Sequence, residues 1–223
     1  MTRSFVLGIA AMMFGAGLAI ADAKLEHVAA RLEHNKTDGD FEIVFEVTSG
    51  DAGLTALKVA APNGRVVLEF TAKNTKLGIR TFRLETPEPK SMELLEGEYP
   101  AGVYTFTANT TSGTTLTSTT KFSHVLPPAA VITRPTVGES DVPVKGLQIK
   151  WSVSKPVSAY LLTIENDQTG VKEVQVSLAA NVTSFAVPDG ILASGTNYKV
   201  SIGTQQADKN ATFVESSFRT VKK

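Results

Sequence analysis

The chain has 223 residues, in which 22 Lys and Arg are balanced by 22 Asp and Glu, and it contains three His and no Cys. Neutrality without a basic block argues against a nucleic-acid partner, because such binding depends on clustered Lys and Arg. The lack of Cys excludes disulfides, zinc–thiolate sites and thiol nucleophiles. Stability must therefore come from hydrophobic burial, which domains of roughly 100 residues can achieve.

Residues 1–23 predict a signal peptide. Arg3 is followed by an apolar run, Phe5–Ile20, and then by Ala21-Asp22-Ala23, which has the small-x-small pattern of a cleavage site. We expect cleavage after Ala23, with Ala21 as the alternative. The run is rich in Gly and Ala and shorter than the roughly 20 residues that span a bilayer. Cleavage removes Arg3 and Asp22 together, so we expect a neutral, exported protein without a membrane span, in the periplasm or outside the cell.

Residues 24–125 show the period-two alternation of β-strands. In FEIVFEV (Phe41–Val47), Phe41, Ile43, Phe45 and Val47 fall on one face. The segment PNGR (Pro62–Arg65) predicts a hairpin, because Asn and Gly can both take positive φ. Further Thr-, Val- and Phe-rich strands are predicted at Val66–Phe70, Ile79–Glu85, Val103–Ala108 and Thr115–Phe122. This half is predicted to be a sandwich domain.

Pro127 and Pro128 interrupt the strand pattern, and residues 126–130 predict a short, semi-rigid linker. A second domain is predicted over residues 131–223, and we expect each domain to fold independently. Short strands at spacings of about 8–12 residues are typical of antiparallel sandwiches. The predicted fold class is all-β, with two tandem sandwiches after the signal peptide. The second set of strands is Leu147–Val153, Ala159–Asn166, Val171–Leu178, Thr183–Val187, Tyr198–Thr204 and Thr212–Val221.

The segments VITRPTVG, LQIKWSV, YLLTIEN, LASGTNYKVSIGT and SFRT make residues from about 130 to 220 resemble a fibronectin type III domain. The resemblance implies that Trp151 and Tyr198 pack in the core and that the Tyr198 hydroxyl closes a tyrosine corner. The loop Gln205–Asn210 carries no Arg-Gly-Asp adhesion signal.

The first half repeats part of this pattern, because PAGVY places Tyr104 after a Gly as SGTNY places Tyr198. Each tyrosine is followed by strands that end in Phe, at Phe122 and Phe218. We interpret the first half as a distant immunoglobulin-like sandwich without the Trp. Coincidence between common turn residues is the alternative interpretation.

The histidines are the first candidates for metal binding. His27 and His34 end two LEH segments, so a helix would place them on one face and a strand on opposite faces. Together with the neighbouring Glu residues they suit zinc or copper. His124, beside the linker, is expected to face the other domain or solvent. Asp38-Gly39-Asp40 is interpreted as a turn, the alternative being a calcium contact that lacks the full EF-hand ligand set.

No catalytic, cofactor-binding or metal-binding residue is predicted, because the chain contains no G-x-S-x-G, HExxH, GxGxxG or P-loop motif. The preferred hypothesis is a non-enzymatic interaction or scaffold protein, which presents sandwich surfaces to a protein or a cell-surface polysaccharide. One alternative is a carbohydrate-binding module, which needs exposed aromatic rings, and Thr107–Thr120 is a candidate sugar contact unless it is simply a polar hairpin. The other alternative is a copper or zinc carrier that uses His27 and His34.

Overall fold

The computed structural model describes residues 23–72 and 76–222 of the chain, so the predicted signal peptide lies outside the described residues except for Ala23. Those ranges contain fifteen strands and one short helix, and the all-β prediction is confirmed. The elements are β1 (His27–Asn35), β2 (Asp40–Thr48), β3 (Leu54–Ala60), β4 (Val66–Thr71), β5 (Thr81–Glu85), α1 (Met92–Glu98), β6 (Gly102–Thr110), β7 (Thr115–Phe122), β8 (Ala130–Arg134), β9 (Glu139–Val142), β10 (Gln148–Val153), β11 (Ala159–Asn166), β12 (Lys172–Ala179), β13 (Ser184–Ala186), β14 (Asn197–Gln205) and β15 (Ala211–Thr220).

The first sandwich packs the strands β1, β2 and β5 against a sheet of order β4-β3-β6-β7. The predicted alternation is observed, because Phe41, Ile43, Phe45 and Val47 all belong to or pack against one hydrophobic core. The chain before β1 crosses to the other sheet, where Leu25 N donates to Ser118 Oγ at 3.0 Å. This core contains residues from Leu25 to Phe122.

The second sandwich packs a sheet of order β13-β10-β8 against β12-β11-β14-β15. Trp151 is 3% exposed and its ring meets that of Tyr160 at a centroid distance of 5.4 Å. The short strand β9, which the sequence analysis did not predict, pairs in parallel with the end of β15. This second core contains residues from Ala130 to Phe218.

Tyrosine corners close both sandwiches, as the repeated Gly–Tyr step predicts. Tyr104 Oη donates to Pro100 O at 3.1 Å, whereas Tyr198 Oη accepts from Ala193 N at 2.9 Å. Each ring packs on a phenylalanine at or near the end of the last strand of its own sandwich, Phe122 or Phe218. The recurrence in the sequence therefore corresponds to a repeated structural device.

A parallel ladder joins the two sandwiches, and this was not predicted. Strand β1 pairs with the start of β15, with Glu33 opposite Ala211, His34 opposite Thr212 and Asn35 opposite Phe213. The open edge of β15 is thus divided between β1 of the first sandwich and β9 of its own. The result is one sheet of order β12-β11-β14-β15-β1-β2-β5, which we call the shared sheet.

Hydrogen bonds hold the predicted linker against the second sandwich. The Pro127 and Pro128 carbonyls accept from Thr212 Oγ1 and Thr204 Oγ1 at 2.9 and 2.8 Å. Asn210, 1% exposed, accepts from Leu32 N at 2.8 Å and donates to Val125 O and Ser123 O, each at 2.9 Å. One amide therefore bonds β1, the segment before the linker and the start of β15 together.

Two local features add to what the sequence indicated. Helix α1 occupies a stretch to which no element was assigned, and Ser91 caps it by accepting from Leu94 N. The PNGR hairpin between β3 and β4 is present, but Gly64 has a φ of 81° while Asn63 is outside the left-handed region. The register shift at Val59/Ala60 accommodates the turn, so a bulge accompanies the predicted hairpin.

Candidate binding groove on the shared sheet

The outer face of the shared sheet forms a groove of about 730 Å³ that crosses both sandwiches. Alternation along each strand explains its composition. In β1, Ala30 and Leu32 point into the first core, so Arg31 and Glu33 point into the groove. Seven strands contribute outward side chains to what we call the shared-sheet groove.

Arg31 organises the half of the groove that belongs to the first sandwich. It is 9% exposed, its Nε lies 2.7 Å from Glu33 Oε1, and its NH1 lies 2.6 Å from Glu46 Oε2. The Arg31 hydrogen bond lowers the pKa of Glu46 to about 2. The guanidinium thus fixes carboxylates from two adjacent strands in a water-poor position.

Arg83 on β5 continues this ionic network. Its NH1 lies 2.9 Å from Glu46 Oε1, and NH2 also contacts Glu85. Glu42 is placed differently: burial, then the negative charges of Glu33 and Glu85, raise its pKa to about 7. Glu42 lies directly opposite Glu33 in the β1–β2 ladder, and the two side chains share a hydrogen bond. The network therefore contains a carboxyl that holds its proton close to neutral pH.

The second sandwich supplies a more neutral half of the groove. Ser201 lies in register between Thr163 and Glu215, and Glu215 pairs with Lys199 at 3.3 Å. Phe213, half-buried, lies over Gly203, its cross-strand partner. A Cβ at residue 203 would lie 2.4 Å from the Phe213 ring, so glycine permits this close approach.

Charge is distributed unevenly along the groove. The first half is acidic, because six carboxyl side chains face two guanidinium groups, whereas three lysines face two carboxylates in the second half. The residues are Glu33, Asp40, Glu42, Glu46, Glu85 and Glu88 with Arg31 and Arg83, and then Glu165 and Glu215 with Lys172, Lys199 and Lys209. A protein that is neutral as a whole thus presents one strongly acidic surface.

The structure separates the two histidines of the metal hypothesis. Because β1 is a strand, His27 faces the groove, 3.9 Å from Glu46, while His34 stacks on Phe41 on the other face at 4.4 Å. Burial lowers the pKa of His34. Within residues 23–72 and 76–222, no three His, Asp or Glu side chains are arranged to hold a metal ion.

The remaining candidates are also in place. His124 is partly exposed; its ring packs on Phe122 and its Nε2 lies 2.8 Å from Tyr99 O, so it contacts the first sandwich. Asp38 lies in the turn between β1 and β2, where it accepts from Asn35 Nδ2 at 2.8 Å. Thr107–Thr120 spans the β6–β7 hairpin.

The groove was not predicted from the sequence, although one signal of it was present. Charged residues occupy the positions that alternate with apolar residues in two predicted strands. The Glu residues of FEIVFEV and the Arg and Glu of IRTFRLE follow this pattern. This alternation does not indicate which strands become neighbours. The β1–β15 ladder determines that.

The strand order of the second half, the buried Trp151 in its second long strand and the corner tyrosine Tyr198 in β14 together decide the fold. The second half is a fibronectin type III-like sandwich. The first half has the same three-on-four strand order and is immunoglobulin-like. Among the described residues, no helix is long and apolar enough to cross a membrane.

Comparisons with solved structures return modules of this type. The chain is similar to fibronectin(III)-like modules of Clostridium thermocellum CbhA, with 13% identity, a TM-score of 0.35, and coverage of 89% of this chain and 94% of that one. A segment of two fibronectin type III domains from chicken tenascin gives 12% identity, a TM-score of 0.34, and coverage of 89% and 98%. No family model and no curated protein sequence matches the chain. The low TM-scores carry no argument about function, and the fold assignment rests on strand order and corner geometry.

Proposed function

We propose that this chain is an exported, non-catalytic interaction protein, which binds a macromolecular partner in the shared-sheet groove. The observation that carries the proposal is the β1–β15 ladder, because it builds one groove from two sandwiches. Fibronectin type III-like sandwiches serve many functions, so the proposal rests on this surface and not on the fold.

The groove is suited to binding because its side chains are already held in place. Arg31 and Arg83 fix the acidic half through ion pairs, and Asn210 fixes the two sandwiches through buried hydrogen bonds. A preorganised surface loses little conformational entropy when a partner docks. The two sandwiches thus act as one binding body.

Two matched substitutions test the location of the binding surface. Ser201→Arg places a long side chain on the floor of the groove, whereas Ser217→Arg places one on an exposed residue of the same sheet outside the groove lining. Each purified full-length mature protein is used to capture partners from a cell-envelope extract, and bound proteins and polysaccharides are quantified. We expect a partner that wild type and Ser217→Arg retain and that Ser201→Arg loses. Equal capture by all three proteins would overturn the proposal.

Export is a separate part of the proposal and has its own test. Residues 1–23 carry the signal-peptide pattern, so the protein recovered from cells should begin at Lys24 and be absent from the cytoplasmic fraction. N-terminal sequencing and intact mass measure this directly. A start at Asp22 would shift the cleavage site to the alternative after Ala21, and retention of Met1 would refute export by cleavage.

A further inference from the structure

Glu42 stands apart from the carboxyls of the acidic half that Arg31 and Arg83 hold. Arg31 and Arg83 pair with Glu33, Glu46 and Glu85. Among the described residues, no Lys, Arg or His nitrogen lies within ion-pair distance of Glu42. Its side-chain partner is another carboxyl, Glu33, which is 7% exposed. The charge of Arg83 favours ionised Glu42, but burial and the negative charges of Glu33 and Glu85 outweigh it, so the negative charge at the floor of the groove is only partly compensated.

We propose, on the basis of the proposed function, that the shared-sheet groove docks a basic polypeptide segment whose Lys or Arg side chain lies over Glu33, Glu42 and Glu85. The charge of the groove complements such a segment, because the six carboxyl side chains of the first half outnumber the two guanidinium groups and the Lys90 ammonium that pairs with Asp40 at 3.9 Å. A polyanion is disfavoured by the same charges.

The dimensions and the apolar residues of the groove favour a polypeptide over a small cation. Seven strands spaced about 4.8 Å apart give a path of roughly 29 Å, which matches about nine extended residues. Phe213 and Leu161 lie along this path, beyond the acidic half. A polypeptide can place an amine at the carboxyls and an apolar side chain on Phe213, which a metal ion cannot do.

Docking of a cation is linked to the release of a proton from Glu42. Three charged groups act on Glu42: Glu33 on β1, and Glu85 and Arg83 on β5. Asp40 and Glu46 line the groove on the same strand as Glu42, and Asp40 pairs with Lys90 at 3.9 Å. Burial and the charges of Glu33 and Glu85 raise the pKa of Glu42 to about 7, so a cation that favours its ionised form releases a proton. Affinity should therefore rise as the pH increases through 7.

Octalysine is the probe that tests this inference on the full-length mature protein. Binding of labelled octalysine is measured by fluorescence anisotropy at pH 6, 7 and 8 and constant ionic strength. If docking requires ionised Glu42, wild type should bind up to about ten-fold more weakly at pH 6 than at pH 8. Glu42→Gln should bind at each pH about as weakly as wild type does at pH 6. The matched control is Glu69→Gln, which removes an exposed carboxylate from β4 in the opposite sheet and should behave as wild type.

Several results would overturn the inference. One is equal binding of octalysine by wild type and Glu42→Gln. Another is binding of Nζ-acetylated octalysine as tight as that of octalysine. A third is displacement of labelled octalysine by Ca²⁺ or neutral oligosaccharides at lower concentrations than unlabelled octalysine requires. Circular dichroism checks that Glu42→Gln is folded, and Glu85→Gln, which should weaken octalysine binding about three- to five-fold, provides a second variant. The proposed function can fail independently of this inference. If Ser201→Arg loses its envelope partner while octalysine binding does not depend on Glu42, the groove is still the binding surface and only the class of partner is wrong.

Discussion

The two sandwiches have the same strand order but present different surfaces at their junction. The first contributes its three-stranded sheet, β1-β2-β5, to the shared sheet, and the second contributes its four-stranded sheet, β12-β11-β14-β15. Their cores share a Tyr–Phe pair at the corner, whereas their outer faces differ in charge. The core residues of the two halves therefore specify the same fold, whereas the outward-facing residues of the shared sheet give the two halves different surfaces.

Aromatic composition is the second difference between the halves. Trp151, the single tryptophan of the chain, lies in the second core, and the first core packs around Phe45, Phe106 and Tyr104 instead. Tryptophan emission therefore reports the second sandwich, while far-UV circular dichroism reports both. This contrast allows the two halves to be followed separately in one unfolding experiment.

The largest expected effect tests the second core. Trp151→Ala should lower the free energy of unfolding by about 3–5 kcal/mol, because it removes a buried aromatic ring and leaves a cavity. Urea denaturation followed by circular dichroism measures the change. Trp151→Phe is the control: the indole N–H has no hydrogen-bond partner among the described residues, so the ring contributes through packing and Phe should retain part of it. Red-shifted emission from the native wild type would place the ring in water and contradict the assignment.

The next effect tests whether the halves are coupled. Asn210→Ala should cost about 2–4 kcal/mol, because it leaves Leu32 N–H and the carbonyls of Ser123 and Val125 without their buried partner. We also expect the tryptophan-emission and circular-dichroism transitions to coincide in wild type and to separate in the variant.

Asn181→Ala is the control for this test, since Asn181 is an exposed asparagine of the second sandwich away from the junction. If Asn210→Ala and Asn181→Ala both leave the transitions coincident and the stability unchanged, the amide does not hold the halves together. The independently folding domains predicted at residues 24–125 and 131–223 remain a proposal, which the separation of the transitions would support.

Most of the fold could be predicted because the patterns that specify strands and corners are local in the sequence. Alternation located β2, β7 and β11 to within a residue, and the Gly–Tyr step predicted both corners. Helix α1 was missed although Ser91 before Met-Glu-Leu-Leu is a helix start signal, because strand periodicity on both sides dominated the interpretation.

The groove could not be predicted for a different reason. It depends on the pairing of Glu33 with Ala211, residues that are separated by most of the chain. A parallel ladder between two domains has no local pattern in the sequence, since either edge of either sandwich satisfies the same alternation. The charge of Glu42 likewise depends on its neighbours across strands and not on its own segment.

A smaller effect distinguishes the two corners. Tyr198→Phe leaves the N–H of Ala193 without an acceptor, whereas Tyr104→Phe leaves the carbonyl of Pro100 without one donor. An unsatisfied N–H is the costlier of the two, so we expect a loss of about 1.5–2 kcal/mol for Tyr198→Phe and about 1 kcal/mol or less for Tyr104→Phe. Thermal and urea unfolding measure both. The reverse order would mean that the corner geometry of the two halves differs from that described.

The smallest effect concerns the acidic half of the groove and has a pH dependence of definite sign. The pKa of Glu42 is raised from its ordinary value of 4.5 to about 7, so the protonated side chain contributes stability that is complete below about pH 4.5 and lost as the pH rises through 7. Glu46, whose pKa is lowered to about 2, contributes in the opposite direction, and its stabilisation is lost as the pH falls below 4.5.

The free energy of unfolding of Glu42→Gln should therefore match that of wild type near pH 5 and exceed it by on the order of 1 kcal/mol at pH 8, where solvent screening limits the gain. Urea denaturation between pH 5 and pH 8 measures the difference, and parallel stability curves for the two proteins would contradict it. Since the same substitution is expected to weaken octalysine binding at pH 8, a gain in stability with a loss of binding would identify Glu42 as a residue retained for recognition at the expense of stability.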